Sequence, residues 1–101
     1  MRILFVCSLG MSSQIAVDAL LKEAKKNGIE MEVKAVSTQE FEEEVSENWD
    51  VAMVAPQIRH RFSLLEEFAI SAGVPCALIE PMGYSPLGGP RLLKQVLSLV
   101  K

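Results

Sequence analysis

Thiols and imidazoles are scarce in this chain. It has two cysteines, Cys7 and Cys76, far apart, and a single histidine, His60. A structural zinc site needs about four Cys or His ligands at short spacing, so none is expected. Two distant thiols make no disulfide framework, and the expected state is a reduced, cytosolic pair. Apolar runs are too short to span a bilayer. The N-terminus has one arginine, Arg2, before four apolar residues, and lacks the h-region and small-residue cleavage site of a signal peptide. Basic stripes are missing as well: 13 acidic residues outweigh 10 basic ones, for a net charge of −3. That balance argues against nucleic acid or an anionic membrane surface as partner. Internal repeats, low-complexity segments and linkers are also lacking. At 101 residues, half of them apolar, the expectation is one globular domain spanning 1–101.

What is present alternates. Residues 2–6 hold the unbroken apolar run Ile3-Leu4-Phe5-Val6, the pattern of a central strand covered on both faces. A helix is predicted over about 13–26, with Val17, Leu20, Leu21 and Ala24 inward, and Asn27-Gly28 stops it. Residues 30–36 alternate apolar and charged, which predicts an edge strand. A short acidic helix at about 39–46 follows Ser37-Thr38. The frame Thr38-Gln39-Glu40-Phe41 is not a full capping box, and Glu42-Glu43-Glu44 reads as its exposed face. Val51 to Ala55 is a second central strand, ended by Pro56. A third helix is predicted at about 61–72, with Phe62, Leu65, Phe68 and Ala69 buried, ending at Gly73. Cys76 to Ile79 is the fourth strand. A turn-rich segment, 80–89, leads to a last helix at about 90–100 that buries Leu92, Leu93, Val96, Leu97 and Val100, with Pro90 at its first position.

This βαβαβαβα order predicts an α/β fold: a four-stranded parallel sheet, order 2-1-3-4, with helices on both faces. Sites in such sheets form beyond the carboxyl ends of the strands, where strand order reverses. The loops there are 7–13 and 55–60.

The first loop carries the chemistry. Cys7-Ser8-Leu9-Gly10-Met11-Ser12-Ser13-Gln14 joins a strand to a helix N-terminus. That position lowers a thiol pKa and favours thiolate. Amides of Leu9 to Gln14 can converge on an anion, Gly10 permits close backbone approach, and Ser8, Ser12 and Ser13 add hydroxyl donors. Ser12 or Ser13 is a suitable N-cap. Such a loop suits a thiolate that attacks phosphorus and holds a cysteinyl phosphate. Cysteine after a buried strand is more often a small core residue; the glycine, the serines and the helix start turn the reading here. Cys76, inside an apolar run, reads as core. His60, Arg59 and Arg61 are either solvated charges or contacts for an acidic partner or a phosphate. Met11 is apolar where a polar residue is expected; it shields the thiol, meets a partner or simply packs.

Cys7-Ser8-Leu9-Gly10-Met11-Ser12-Ser13, opening the chain after a strand, resembles the cysteine loop of the enzyme IIB component of the bacterial sugar phosphotransferase system, lactose/cellobiose/chitobiose class. Ala55-Pro56-Gln57-Ile58-Arg59 resembles that family's second signature, with Ala55 in place of the usual glycine. In the last loop, Tyr84 is present but Ser85 follows it where the family has glycine. The resemblance spans the whole chain and implies a phosphoryl carrier without cofactor or metal. Cys7 would be phosphorylated by a phosphohistidine of a IIA partner and would pass the group to a sugar, a β-linked disaccharide such as cellobiose, chitobiose or lactose. That sugar is moved by the membrane permease IIC, so the carrier works in the cytoplasm at the inner membrane face, with no membrane insertion of its own. Ser8 to Gln14 would form the phosphate loop, and Gln57, Arg59, His60 and Tyr84 are candidate partner contacts.

The main rival is a low-molecular-weight tyrosine phosphatase or arsenate reductase of similar, flavodoxin-like fold, whose loop is Cys-x5-Arg-Ser/Thr. Here Ser13 stands where that arginine would be, so no guanidinium clamps the transferring group. Residues 80–90 also supply no aspartic general acid. Both absences suit a carrier whose phosphocysteine must last. A non-catalytic regulatory module of the same fold is the third reading.

Overall fold

The computed structural model describes residues 1–7, 14–80 and 88–100. Four parallel strands form one sheet: β1 (Arg2–Cys7), β2 (Glu32–Ser37), β3 (Val51–Val54) and β4 (Cys76–Leu78), in the order β2-β1-β3-β4. The predicted order and parallel sense therefore hold. Around the sheet lie α1 (Gln14–Lys26), α2 (Thr38–Glu44), α3 (Phe62–Ser71) and α4 (Gly89–Leu99).

The central strands are apolar on both faces because both faces are covered. Leu4, Val6, Ala52 and Val54 pack with Phe41, Val45, Trp49, Leu65 and Ala69 on the side of α2 and α3. Ile3, Phe5, Val51 and Met53 pack with Val17, Leu20, Leu92 and Val96 on the side of α1 and α4. Full burial of such side chains contributes about 1.5–3 kcal/mol each before conformational entropy is set against it. β2 lies at the edge, and its exposure alternates as its sequence does.

Several boundaries differ from the sequence expectation. β1 extends one residue further, through Cys7, which pairs in register with Ser37 of β2. α2 starts at Thr38 because the capping frame is Ser37-Thr38-Gln39-Glu40, one residue upstream of the frame considered from sequence. The Glu40 carboxylate accepts from the Ser37 backbone N–H at 3.2 Å and from its hydroxyl at 3.0 Å. These bonds, the backbone one first, hold the Glu40 carboxyl below its ordinary pKa. Between β3 and α3, Pro56–Arg61 is a 3-10 turn where a plain loop was expected. Leu97, assigned to the core from its spacing, is 39% exposed; it falls on the outer edge of the stripe made by Leu92, Leu93 and Val96.

The turn glycines behave as their positions require. Gly28 and Gly73 have φ of 72° and 74°, the left-handed region that ends a helix cheaply only with glycine. Gly89 serves a different need. A Cβ there would stand 2.7 Å from the Ala19 carbonyl oxygen, so its bare α-carbon lets α4 approach the backbone of α1.

Two side chains close the ends of the sheet. Arg2 donates to the carbonyls of Glu47 at 2.7 Å and Asn48 at 3.0 Å, and its guanidinium lies 4.3 Å from the Trp49 ring centre. The Arg2 N–H and the Asp50 carboxylate bond at 2.7 Å, and the Asp50 N–H returns to the Arg2 carbonyl at 2.8 Å. At the opposite end, on the outer edge of β4, the Gln95 amide donates to the Leu78 carbonyl at 2.7 Å and accepts from the Glu80 N–H at 3.3 Å.

Candidate active site

Strand order reverses between β1 and β3, and the residues that end these strands define the site. Cys7 is the last residue of β1 and is fully buried. Alternation along β1 would place its side chain with Ile3 and Phe5 on the α1/α4 side. It packs instead with Leu4, Val6, Val36, Ala55 and Ile58 on the α2/α3 side. Ala55 departs from alternation in the same way, leaving the side of Val51 and Met53. The Ala55 N–H donates to the Val6 carbonyl at 2.9 Å, which ties the start of the second signature to the residue before the thiol.

The following turn is anchored by one apolar side chain. Pro56 starts it without needing an N–H, and the Ile58 N–H bonds the Ala55 carbonyl at 3.1 Å. Ile58 is buried in the cluster that holds Cys7, whereas Gln57, Arg59, His60 and Arg61 are exposed. The structure thus brings Gln57, Arg59 and His60 to the carboxyl end of β3, beside the strand that carries Cys7. They point to solvent, as a contact surface for another molecule requires.

On the other flank, α1 starts at Gln14, seven positions after Cys7. A helix that follows a parallel strand runs back along the sheet, so its positive N-terminal end lies at the thiol's end of β1. Gln14 is exposed, and its side-chain amide donates to the Asp18 carboxylate at 2.8 Å. That bond uses one of the two donors of the Gln14 amide. The candidate loop residues Ser8, Leu9, Gly10, Met11, Ser12 and Ser13, and Tyr84 of the last loop, lie outside the described residues.

Three neighbours escaped the sequence reading. Ser37 stands beside Cys7 in register, and only strand pairing reveals that. Ile58 anchors the turn from within the thiol's cluster; an apolar residue in an otherwise polar loop was the available signal. Ile15, 58% exposed at the first turn of α1, lies off the stripe of Val17, Leu20 and Ala24, and that offset was readable.

The second thiol contrasts with the first. Cys76 is half-buried on edge strand β4, and burial, aided by the nearby Glu66 carboxylate, pushes its pKa up to about 12. A thiol that holds its proton so firmly is a poor nucleophile at neutral pH. Among the described residues, no group of three or more His, Cys, Asp and Glu side chains could hold a metal ion.

Comparison with known proteins agrees with this geometry. A family model described as "PTS system, Lactose/Cellobiose specific IIB subunit" matches residues 2–95. The chain is 29% identical over 99 residues to the oligo-β-mannoside-specific EIIB component of Bacillus subtilis, covering 98% of this chain and 95% of that one. Among solved structures, a cellobiose-specific IIB component from Borrelia burgdorferi superposes with a TM-score of 0.77 at 31% identity, covering 99% of this chain and 91% of that one. The lactose-specific IIB domain from Streptococcus pneumoniae superposes with a TM-score of 0.83 at 18% identity, covering 100% and 98%; at that identity the likeness speaks for the fold alone.

Proposed function

The chain belongs to the lactose/cellobiose-specific IIB family of the sugar phosphotransferase system, and from that premise we propose that Cys7 is its phosphoryl-carrying residue. The observation that carries this reading is the place of Cys7, the last residue of the central strand at the reversal of strand order. Chains of this kind are phosphotransferase components, and the tyrosine-phosphatase reading gives way to that membership.

The chemistry follows from the thiol and its surroundings. Cys7 gives up its proton and attacks the phosphorus of a phosphohistidine on a IIA partner. The S–P bond forms, the P–N bond breaks, and its electron pair returns to the imidazole nitrogen, which takes up a proton in balance with the one the thiol released. The helix end favours the thiolate, and backbone amides of residues 9–14 hold the phosphoryl oxygens. In the second transfer a sugar hydroxyl attacks the same phosphorus from the opposite side. The S–P bond breaks, thiolate is regenerated, and the hydroxyl proton is lost to solvent or a base. The acceptor is a β-linked disaccharide such as cellobiose, chitobiose or lactose, presented by the membrane permease IIC at the inner face of the membrane.

Ser13 supports holding over hydrolysis, because no guanidinium clamps the group for attack by water. Gln57, Arg59, His60 and the exposed Ile15 form the rim against which the phosphodonor docks. The test is intact mass after incubation with phosphoenolpyruvate, the general phosphotransferase proteins and a IIA partner. One phosphoryl group is expected on the wild-type chain and on Cys76→Ser, and no thiol-linked adduct on Cys7→Ser. Labelling at Cys76, or rapid hydrolysis of p-nitrophenyl phosphate, overturns the proposal.

A further inference from the structure

Folding sorts the charges of this chain by face. The α1/α4 layer carries Lys22, Lys25 and Lys26 against Asp18 and Glu23 on α1, and Arg91 and Lys94 with no acid on α4, a balance of three positive charges. The α2/α3 layer carries Glu40, Glu42, Glu43 and Glu44 on α2 and Glu66 and Glu67 on α3, with no base on either helix. Arg59 and Arg61, in the turn before α3, offset two of those six. Net charge conceals the division, and so does sequence, because the cations of one face come from two segments about seventy residues apart.

The cations of the α1/α4 face are unspent. Lys22, Lys25, Lys26, Arg91 and Lys94 are all exposed. Among the described residues, none of the four lysines makes an ion pair, and Arg91 meets Glu80 only at 3.7 Å. The two acids of α1 are occupied by neutral amides: Asp18 accepts from Gln14 at 2.8 Å and Glu23 from Asn27 at 3.3 Å. Leu97, 39% exposed, lies on α4 in this same layer.

We propose that the outer face of α1 and α4 rests on an anionic lipid surface. The occupant is fixed by charge complementarity. The acidic layer does not cancel the attraction, since the shortest extent of the fold is 19 Å and the screening length at physiological ionic strength is about 8 Å. Each basic residue held against an anionic leaflet is worth roughly a fivefold gain in partitioning. With Glu80 set against Arg91, two to three unbalanced charges give a gain on the order of ten- to a hundredfold, which is weak and reversible. In this pose the sheet lies parallel to the membrane, and the end bearing Cys7 opens sideways toward a neighbouring membrane protein. The inference goes beyond the carrier role and does not depend on Cys7.

Vesicle sedimentation tests it. The full chain should bind vesicles of phosphatidylglycerol and phosphatidylcholine at low salt, bind phosphatidylcholine vesicles far less, and be released by high salt. Lys22→Glu, Arg91→Glu and Lys94→Glu together should abolish binding. The milder set Lys22→Gln, Arg91→Gln and Lys94→Gln, which leaves an exposed surface near neutral, should lower it by about fivefold per charge removed. Cys7→Ser should bind as wild type. Equal binding to both vesicles, binding indifferent to either variant set, or salt-sensitive self-association without vesicle binding overturns the inference.

Discussion

Two thiols of one chain are set apart by the places they occupy. Cys7 ends a central strand where a helix begins shortly after, and Cys76 lies on edge strand β4 beside Glu66. The consequence for stability has a definite sign. The unfolded Cys76 thiol ionises near its ordinary value of 9.0, while the folded one keeps its proton to about 12. Below the lower value both states are protonated and the contribution is whole; as pH rises between the two values the unfolded state alone loses its proton, and stability falls. Melting temperature should therefore decline through this alkaline window, and Cys76→Val should decline less, as followed by circular dichroism. At neutral pH, Cys76 should be slow to alkylate in the folded chain and quick in urea. The place of each cysteine, one at the end of a central strand and one inside an apolar strand, was readable from its flanking residues. Arg2 was not: its bonds to Glu47 and Asn48 and its stacking on Trp49 join positions more than forty residues apart, and nothing local marks them.

The secondary-structure elements were legible where apolar spacing is regular, as in α1 and the strands, and blurred where a single bond sets a boundary. Glu40 reaching back to Ser37 decides where α2 starts, and the choice between adjacent hydroxyl residues is one that spacing alone does not make. The 56–61 turn was hidden for a related reason: proline announces the end of β3, while the burial of Ile58 that shapes the turn depends on the partner cluster. Helix contacts are equally invisible in sequence, and Gly89 is the case with the sharpest consequence. A methyl group there meets the Ala19 carbonyl oxygen, which belongs to helix backbone and has no room to swing aside. Gly89→Ala must push α4 away from α1. It should cost about 1–3 kcal/mol despite the usual helical advantage of alanine, measured as a lower urea midpoint with unchanged slope.

At the scale of the whole molecule, β1 and β3 serve both cores at once: Leu4 and Val6 face one side, Ile3 and Phe5 the other. Neither helical layer can leave without uncovering the sheet that the other packs against. Unfolding should accordingly be a single transition. Fluorescence of Trp49, which reports the α2/α3 side, and far-ultraviolet circular dichroism should give coincident midpoints, including in Gly89→Ala, whose lesion lies on the other side. The strand order was legible because β2 alternates while β1 and β3 do not; the sorting of charge by face was not, because it exists only once the layers form. The Gln95 bonds on β4 bear on a different hazard. The Leu78 carbonyl and the Glu80 N–H point outward from a sheet edge, and they are the pair of groups that one residue of an incoming parallel strand would use. Gln95 presents a donor and an acceptor from a helix and occupies both, so an exposed edge that would otherwise template a fifth strand, or another chain's, offers no foothold there.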